Sequence, residues 1–317
     1  MAARNNMSRR DFLHSTAAAA ALAALAPGLF VAGRARANPG SKPNILLIMT
    51  DEHNAGILGA AGNAIAQTPK LDALAQQGVI FDNCYCNSPV CAPSRLSFTA
   101  GKYISRVGAW GNQFWLPSAD YPSLPRILNA AGYESFLCGR MHYDYTRRYG
   151  FTEIGGNFNT SVKYGKQRRP PPDVPEPQPG ISDRLTDVGI GETGIHLHDQ
   201  NVAAGALQFL NERQAADGPF FLLVGFLAPH FPLKVPEGYW APYVDQVPLP
   251  VIPEGHLESQ PLNYQHLRIG FNVEDVPDEV VRDARELYYG HTQWADGQIG
   301  QVPVSYTHLT LPTILLV

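Results

Sequence analysis

Four short stretches of the sequence carry residues able to do chemistry. Cys91-Ala92-Pro93-Ser94-Arg95 places a thiol four residues before a guanidinium, and Gly101-Lys102 follows. Thr50-Asp51-Glu52-His53 offers two carboxylates and an imidazole. Gly139-Arg140-Met141-His142 offers a guanidinium and a second imidazole, and Ala228-Pro229-His230-Phe231-Pro232 a third. Carboxylates suit a hard divalent cation such as Ca2+ or Mg2+, whereas arginine and histidine suit an anion. Together they describe a metal-assisted site for a sulfate or phosphate ester. Singly each has a plainer reading: Asp51-Glu52 as a solvated turn, His142 and His230 as structural histidines, Cys91 as a spare thiol.

Such a site needs a scaffold that gathers it. Ile45–Met49 is a continuous apolar run that fits a strand buried on both faces, and Asp51 falls just past its end. Ser135–Cys138 reads as a short strand ending at Gly139, and Phe220–Leu227 as a strand emptying into Ala228. Residues beyond the carboxyl ends of strands in open α/β sheets face the ligand crevice. Three such strands would therefore deliver residues 51–53, 140–142 and 230 to one edge. Val79-Ile80-Phe81 reads as a further strand.

Helices are expected between the strands. One starts at Thr68-Pro69, with Thr68 as N-cap, Pro69 at the first helical position and Leu71, Leu74 and Ala75 as its apolar stripe. Another starts at Ser123-Leu124, with Ile127 and Leu128 inward and Gly132 closing it. A third is capped by Asp199 and carries Val202, Leu207 and Leu210; a longer one runs from Pro277-Asp278 through Ile299 and stops at Val302-Pro303. The alternation predicts an α/β protein with a mostly parallel sheet sandwiched by helices. Pro93 and Ser94 should open a helix directly behind residue 91, where its N-terminal N–H groups favour an anion and Arg95 sits one turn inside. Cys84, Cys86 and Cys138 read as core residues, and the proline-rich stretch RRPPPDVPEPQPG as a loop.

The first 37 residues read as a targeting segment. Ser8-Arg9-Arg10-Asp11-Phe12-Leu13 is a twin-arginine signature, followed by an Ala/Leu run and the A-x-A sequence Ala35-Arg36-Ala37. The run is shorter than the ~20 residues a membrane span needs, and it contains Pro27 and Gly28. The expected route is the twin-arginine translocon, and the expected address periplasmic or secreted. A net charge of −4 offers no footprint for nucleic acid.

Cys91-Ala92-Pro93-Ser94-Arg95 followed by Gly101-Lys102 resembles the signature of the type I sulfatases, members of the alkaline-phosphatase-like superfamily. In that family the cysteine is oxidised to formylglycine. PNILLIMTDE resembles the family's first strand and metal-binding end, CGRMHY its G-K-x-H segment, APHFPLKVPEGYW its P-H-x-P segment, and YYGHTQWADGQIGQV the helix before its last metal ligands. The likeness covers roughly residues 43–302 and looks closest to a choline-sulfatase-like branch.

The resemblance implies a role for each position. Asp51, Glu52 and residue 91 would bind a divalent metal, Ca2+ before Mg2+ or Mn2+. Arg140 would bind sulfate, His142 would assist at the nucleophile, and His230 would bind sulfate or aid the leaving group. Cys91, Pro93, Ser94, Arg95 and Lys102 would form the motif read by a formylglycine-generating enzyme or sulfatase maturase. Three positions depart from the family pattern: Arg140 stands for a lysine, Ala100 where threonine is common, and Glu52 is longer than an aspartate.

The implied domains are a signal at 1–37, a catalytic portion at 38–302, and a non-native tail at 303–317. That tail, PVSYTHLTLPTILLV, resembles translated sequencing adapter. On that reading the fold lacks the family's C-terminal strands and small C-terminal subdomain, with their metal ligands and lysine. The implied activity is hydrolysis of a small-molecule or carbohydrate sulfate ester, choline sulfate and sulfated sugars being the candidates. The alternatives are a phosphonate or phosphate ester hydrolase on the same fold, an inactive fragment, and a thiol or metal-binding protein.

Overall fold

The computed structural model describes residues 42–306 apart from 145, 157–179 and 215, and only the backbone of 303–306. The targeting segment, the proline-rich loop and residues 307–317 lie outside the described residues. A four-stranded sheet forms the centre. Its strands are β1 (Ile45–Met49), β2 (Glu134–Gly139), β3 (Thr152–Ile154) and β5 (Phe220–Gly225), in the order β1-β5-β2-β3. Every pairing is parallel, as the sequence predicts. A two-stranded parallel sheet joins β4 (Gly189–Ile190) to β6 (Lys234–Val235).

The helices are α1 (Pro69–Gln77), α2 (Cys91–Ala100), α3 (Ile104–Val107), α4 (Leu124–Ala130), α5 (Asp183–Thr186), α6 (Gly194–Glu212), α7 (Glu237–Trp240), α8 (Leu262–Gly270) and α9 (Asp278–Tyr306). They cover both faces of the central sheet. Ile48, Leu222 and Val224 pack on one face with Val202, Leu210 and Ile299. Leu47, Phe221 and Leu223 pack on the other with Leu96 and Leu116. All six residues of β5 are buried, which explains why its sequence is apolar without alternation. Among the described residues no helix is long and apolar enough to cross a membrane.

Register positions the site. Met49 lies opposite Gly225, and Gly225 opposite Gly139, so β1, β5 and β2 end side by side. Gly225 could not be anything larger: a Cβ there would lie 2.1 Å from the Arg140 carbonyl oxygen. Gly139 has φ +95 and would place a Cβ 2.3 Å from the Gly225 oxygen. The two glycines let neighbouring strand ends approach closely enough to share one edge.

Several local expectations are corrected. Residues 79–81 form no strand; Val79, Ile80 and Phe81 are exposed, because the described sheet has no neighbour to accept their backbone groups. Cys84 and Cys86 are exposed as well, and only Cys138 is core. Ile127 points outward, while Leu128 packs inward as expected. The β5 strand stops at Gly225, two residues short of the expected Leu227.

Thr68 does not cap α1 through its side chain. The N–H groups of Lys70 and Leu71 in the first turn are taken instead by the Asp296 carboxylate of α9, at 3.1 and 2.8 Å. Asp199 is no N-cap either. α6 starts five residues earlier at a capping box of Thr193 and His196, which buries Asp199 in mid-helix. Finally, α9 continues through Pro303 to Tyr306, past the boundary expected at 302.

Candidate active site

The site is assembled at the aligned ends of β1, β2 and β5. Cys91 is the first residue of α2, and Val90 ahead of it is extended. With no side-chain cap at Val90, the Asn112 side chain accepts from Ala92 N at 2.9 Å. At its other end α2 closes with Gly101 in the left-handed region (φ +61). Lys102 N there bonds Ser97 O at 3.2 Å, the wrap that a glycine stop allows. The helix is therefore held at both ends, which fixes the direction of its first residue.

Asp51 binds these pieces together. Its Oδ1 accepts from Cys91 Sγ at 3.6 Å, and its Oδ2 from Arg95 Nη2 at 3.2 Å. Both members of the Arg95–Asp51 pair are buried, at 4% and 8% side-chain exposure. Arg95 also donates to Arg140 O at 2.8 Å and to Thr50 O at 3.5 Å, so one guanidinium spans the ends of β1 and β2. Arg140 reaches back over the edge and donates from Nη2 to His142 Nδ1 at 3.1 Å. Because arginine has only donors, His142 Nδ1 accepts, and the ring's own proton sits on Nε2.

His230 arrives from the turn after β5. Leu227 N and Ala228 N both donate to the buried Asp199 carboxylate at 2.8 Å, which anchors that turn to α6. His230 Nδ1 faces Phe231 O, and Nε2 lies 3.5 Å from Glu52 Oε1. Glu52 and His142 both adopt positive φ, +59 and +55, conformations that non-glycine residues take at some cost and that cluster at functional sites. The Glu52 backbone is secured by the Tyr288 hydroxyl, which donates to Glu52 O and accepts from Asn54 N at 2.8 Å.

Protonation follows from this packing. The Cys91 thiol is pushed up to about 11 by burial first and then by Asp51 and Glu52, so it stays neutral at physiological pH. A protonated thiol is a poor nucleophile and a poor ligand, which counts against thiol catalysis. His142 is pushed down to about 4, by burial first and then by the Arg140 and Arg95 charges, and is neutral. The Glu52 carboxyl is raised by burial, against the opposing pull of His230.

Asp51, Cys91 and His230 each present a donor atom, and the three lie within 4.8 Å of one another, the one such group among the described residues; Glu52, expected as a ligand, is not in it and faces His230 instead. As it stands this mixed sulfur, oxygen and nitrogen set leans to softer metals. Were Cys91 converted to a hydrated aldehyde, its sulfur would give way to oxygens. Beside the Asp51 carboxylate these would suit a hard divalent cation, so the residues present fit such an ion.

Of the positions singled out by sequence, Asp51, Glu52, Cys91, Arg95, Arg140, His142 and His230 meet at this edge. Pro93 and Ser94 lie in the first turn of α2 behind them. Lys102 stands apart, past the far end of α2, with its ammonium on Tyr121. Sequence reasoning missed the supports: Asn112, Tyr288 and the anchoring role of Asp199. Asp199 was visible only as a helix cap, and nothing local marks the other two as supports.

A parallel sheet flanked by helices, with polar residues gathered at its carboxyl edge, makes this an α/β protein. Within that class the chain belongs to the sulfatase family, whose profile matches residues 43–303. A twin-arginine translocation signal matches residues 6–26, which marks the protein for export to the periplasm or beyond. It is 31% identical over 281 residues to the choline-sulfatase of Rhizobium meliloti, covering 82% of this chain and 53% of that protein. It is 29% identical over 297 residues to the arylsulfatase of Clostridium perfringens, covering 82% and 58%. The chain thus spans about half the length of the curated relatives it matches. Among solved structures, the phosphonate monoester hydrolase of Agrobacterium radiobacter shares the fold, with TM-score 0.65, 22% identity, and 86% and 62% of the two chains covered.

Proposed function

We propose that the protein hydrolyses a sulfate ester to an alcohol and inorganic sulfate, with residue 91 as nucleophile after oxidation of its cysteine to formylglycine. The observation that carries this reading is the placement of Cys91. It sits at a helix N-terminus, 3.6 Å from Asp51, whose other oxygen is held by the buried Arg95. As a neutral thiol it is suited to being a substrate for modification rather than a nucleophile itself.

The aldehyde takes up water to give two hydroxyls on one carbon. One hydroxyl gives its proton to Asp51 Oδ1, the oxygen that faces residue 91, and through it to solvent; the freed electron pair forms the bond to sulfur, and the sulfur–oxygen bond to the alcohol breaks. Arg140 would hold the sulfate oxygens, helped by the positive end of the α2 dipole, and His142 would donate from Nε2. His230 is placed to give the departing alcohol its proton: Nδ1 is engaged by Phe231 O, so Nε2 does the exchange, and Glu52 pairs the charged ring. Now neutral, His230 takes the proton of the second hydroxyl. That oxygen's electrons form the carbonyl, the carbon–oxygen bond to sulfate breaks, and the aldehyde returns. A serine or an unmodified cysteine has no second hydroxyl to do this. A divalent cation, Ca2+ expected before Mg2+ or Mn2+, would be held by Asp51 and residue 91, and would polarise the sulfate oxygens and sharpen the attacking hydroxyl.

The partners this reading requires are a formylglycine-generating enzyme or sulfatase maturase, and the twin-arginine translocon. The test is mass spectrometry of the Cys91 peptide after co-expression with a formylglycine-generating enzyme. Conversion of thiol to aldehyde is expected, with turnover of an aryl sulfate that exceeds that of a phosphonate monoester. An unmodified thiol in a protein that still turns over sulfate would overturn the mechanism. Faster turnover of the phosphonate would favour the ester hydrolase that shares this fold.

A further inference from the structure

Arg184, in α5, stands beside this site and takes no part in the chemistry above. Its guanidinium carbon lies 4.2 Å from the ring centre of Phe231 and 4.3 Å from that of Phe271. Phe231 follows His230 in the chain, and their ring centres are 4.2 Å apart. The guanidinium is therefore no further from the His230 ring than the sum of the Arg184–Phe231 and Phe231–His230 spacings. Its charge reaches Glu52, whose carboxyl it draws downward. The clamp is braced from behind: Ser182 N donates to Asn272 O at 3.2 Å, joining the start of α5 to the residue after Phe271, and the Asn272 amide donates to Gly180 O.

A guanidinium held against two rings by cation–π contact keeps N–H donors available for a ligand. Among the described residues Arg184 makes no ion pair. The nearby acid Asp187 is engaged by Lys234. Arg184 is exposed, so its fork is open to solvent on the side chain that packs against the neighbour of His230. Planar donors of this kind match carboxylate and sulfate oxygens two at a time.

We propose that Arg184 binds a second anionic group of the substrate, a carboxylate or another sulfate close to the ester under attack, so that the substrates are polyanionic glycans. This rests on the sulfate-ester reading of the site. The same geometry disfavours a cationic alcohol such as choline: a quaternary ammonium needs open ring faces, and those of Phe231 and Phe271 already carry a like charge.

The test uses the whole gene product, matured at residue 91, with Arg184→Gln and Arg184→Lys. Turnover is compared on glucosamine disulfate and on an aryl monosulfate. In Arg184→Gln the ratio of kcat/KM, disulfate over monosulfate, is expected to fall by about 10- to 100-fold, chiefly through KM, as for loss of a charge-assisted contact. Arg184→Lys should recover part of it. An unchanged ratio, whether both rates fall together or neither moves, would show that Arg184 is only a brace and would overturn the proposal. Should the wild-type protein hydrolyse neither ester, the sulfatase reading fails. Arg184 is then judged by calorimetric affinity for glucosamine disulfate against glucosamine monosulfate. A selective loss of at least tenfold in Arg184→Gln supports the proposal, and an equal loss rejects it.

Discussion

At the scale of single residues, the site is held by one carboxylate, Asp51, shared between the Cys91 thiol and the buried Arg95 guanidinium. Arg95→Ala would leave Asp51 as a buried charge without its ion-pair partner. Breaking a buried pair from one side costs about 3–5 kcal/mol, so a large drop in the urea midpoint is expected along with loss of turnover. Arg95→Lys keeps the charge but cannot reach Asp51, Thr50 O and Arg140 O from one rigid fork. It should recover stability better than activity, which equilibrium unfolding and kcat/KM measured on the same preparations would show. Cys91→Ser should fold normally, with an unchanged unfolding curve, yet show no aldehyde by mass spectrometry and at least about a thousandfold loss of kcat, in line with removal of a covalent nucleophile.

At the scale of elements, the turn bearing His230 depends on α6 and the adjoining α9. Asp199 accepts two backbone N–H groups of that turn and touches His198 Nδ1 at 2.7 Å. Asp199→Ala would strand two buried donors, with an expected destabilisation of about 2–4 kcal/mol and a displaced His230. Activity should therefore fall further than in Asp199→Asn, which keeps one acceptor; thermal unfolding and kcat together would separate the two effects.

His291 of α9 is fully buried, stacked on His196 with ring centres 5.3 Å apart, and among the described residues neither of its ring nitrogens has a hydrogen-bond partner. Burial, helped by His196 and His230, pushes it down to about 3. The folded state thus keeps this ring neutral while the unfolded chain protonates it near 6.5. Between those values the unfolded state binds more protons, so stability is lost as pH falls, by about 1.4 kcal/mol per unit from this group. His291→Phe should retain the stacking and flatten that dependence. The stability difference between pH 7.5 and pH 5 should shrink by about 2 kcal/mol by urea titration, and no change would show the ring to be protonated in the fold.

At the scale of the whole molecule, address and chemistry are carried by separate parts of the chain. The twin-arginine match lies within residues 6–26 and the family match within 43–303. Replacing Arg9 and Arg10 by lysine should keep the protein in the cytoplasm while leaving modification of Cys91 intact, as fractionation followed by peptide mass spectrometry would report. The long helix α9 ties the molecule together: Asp296 caps α1, Tyr288 holds the Glu52 turn, and Ile299 and Val302 enter the main core. A substitution in α9 can thus disturb the site without touching any reacting atom.

The sequence by itself determined the strands β1, β2 and β5, the helix behind Cys91, and the group of residues that converge. Apolar runs bounded by glycine and polar turns leave few alternatives when each ends in charged groups. The tertiary structure decided everything that depends on what lies opposite. Residues 79–81 have the composition of a strand but no neighbour to pair with. Asp199 has the composition of a helix cap, but it lies beneath a turn whose N–H groups need it more. The same holds for Glu52, which sits next to Asp51 in sequence yet faces His230, because its positive φ turns it off the line of the strand. Arg184 gave no local sign at all. Its position against two rings from distant segments exists only once the chain has folded, because contacts of that kind are fixed by packing and not by spacing along the backbone.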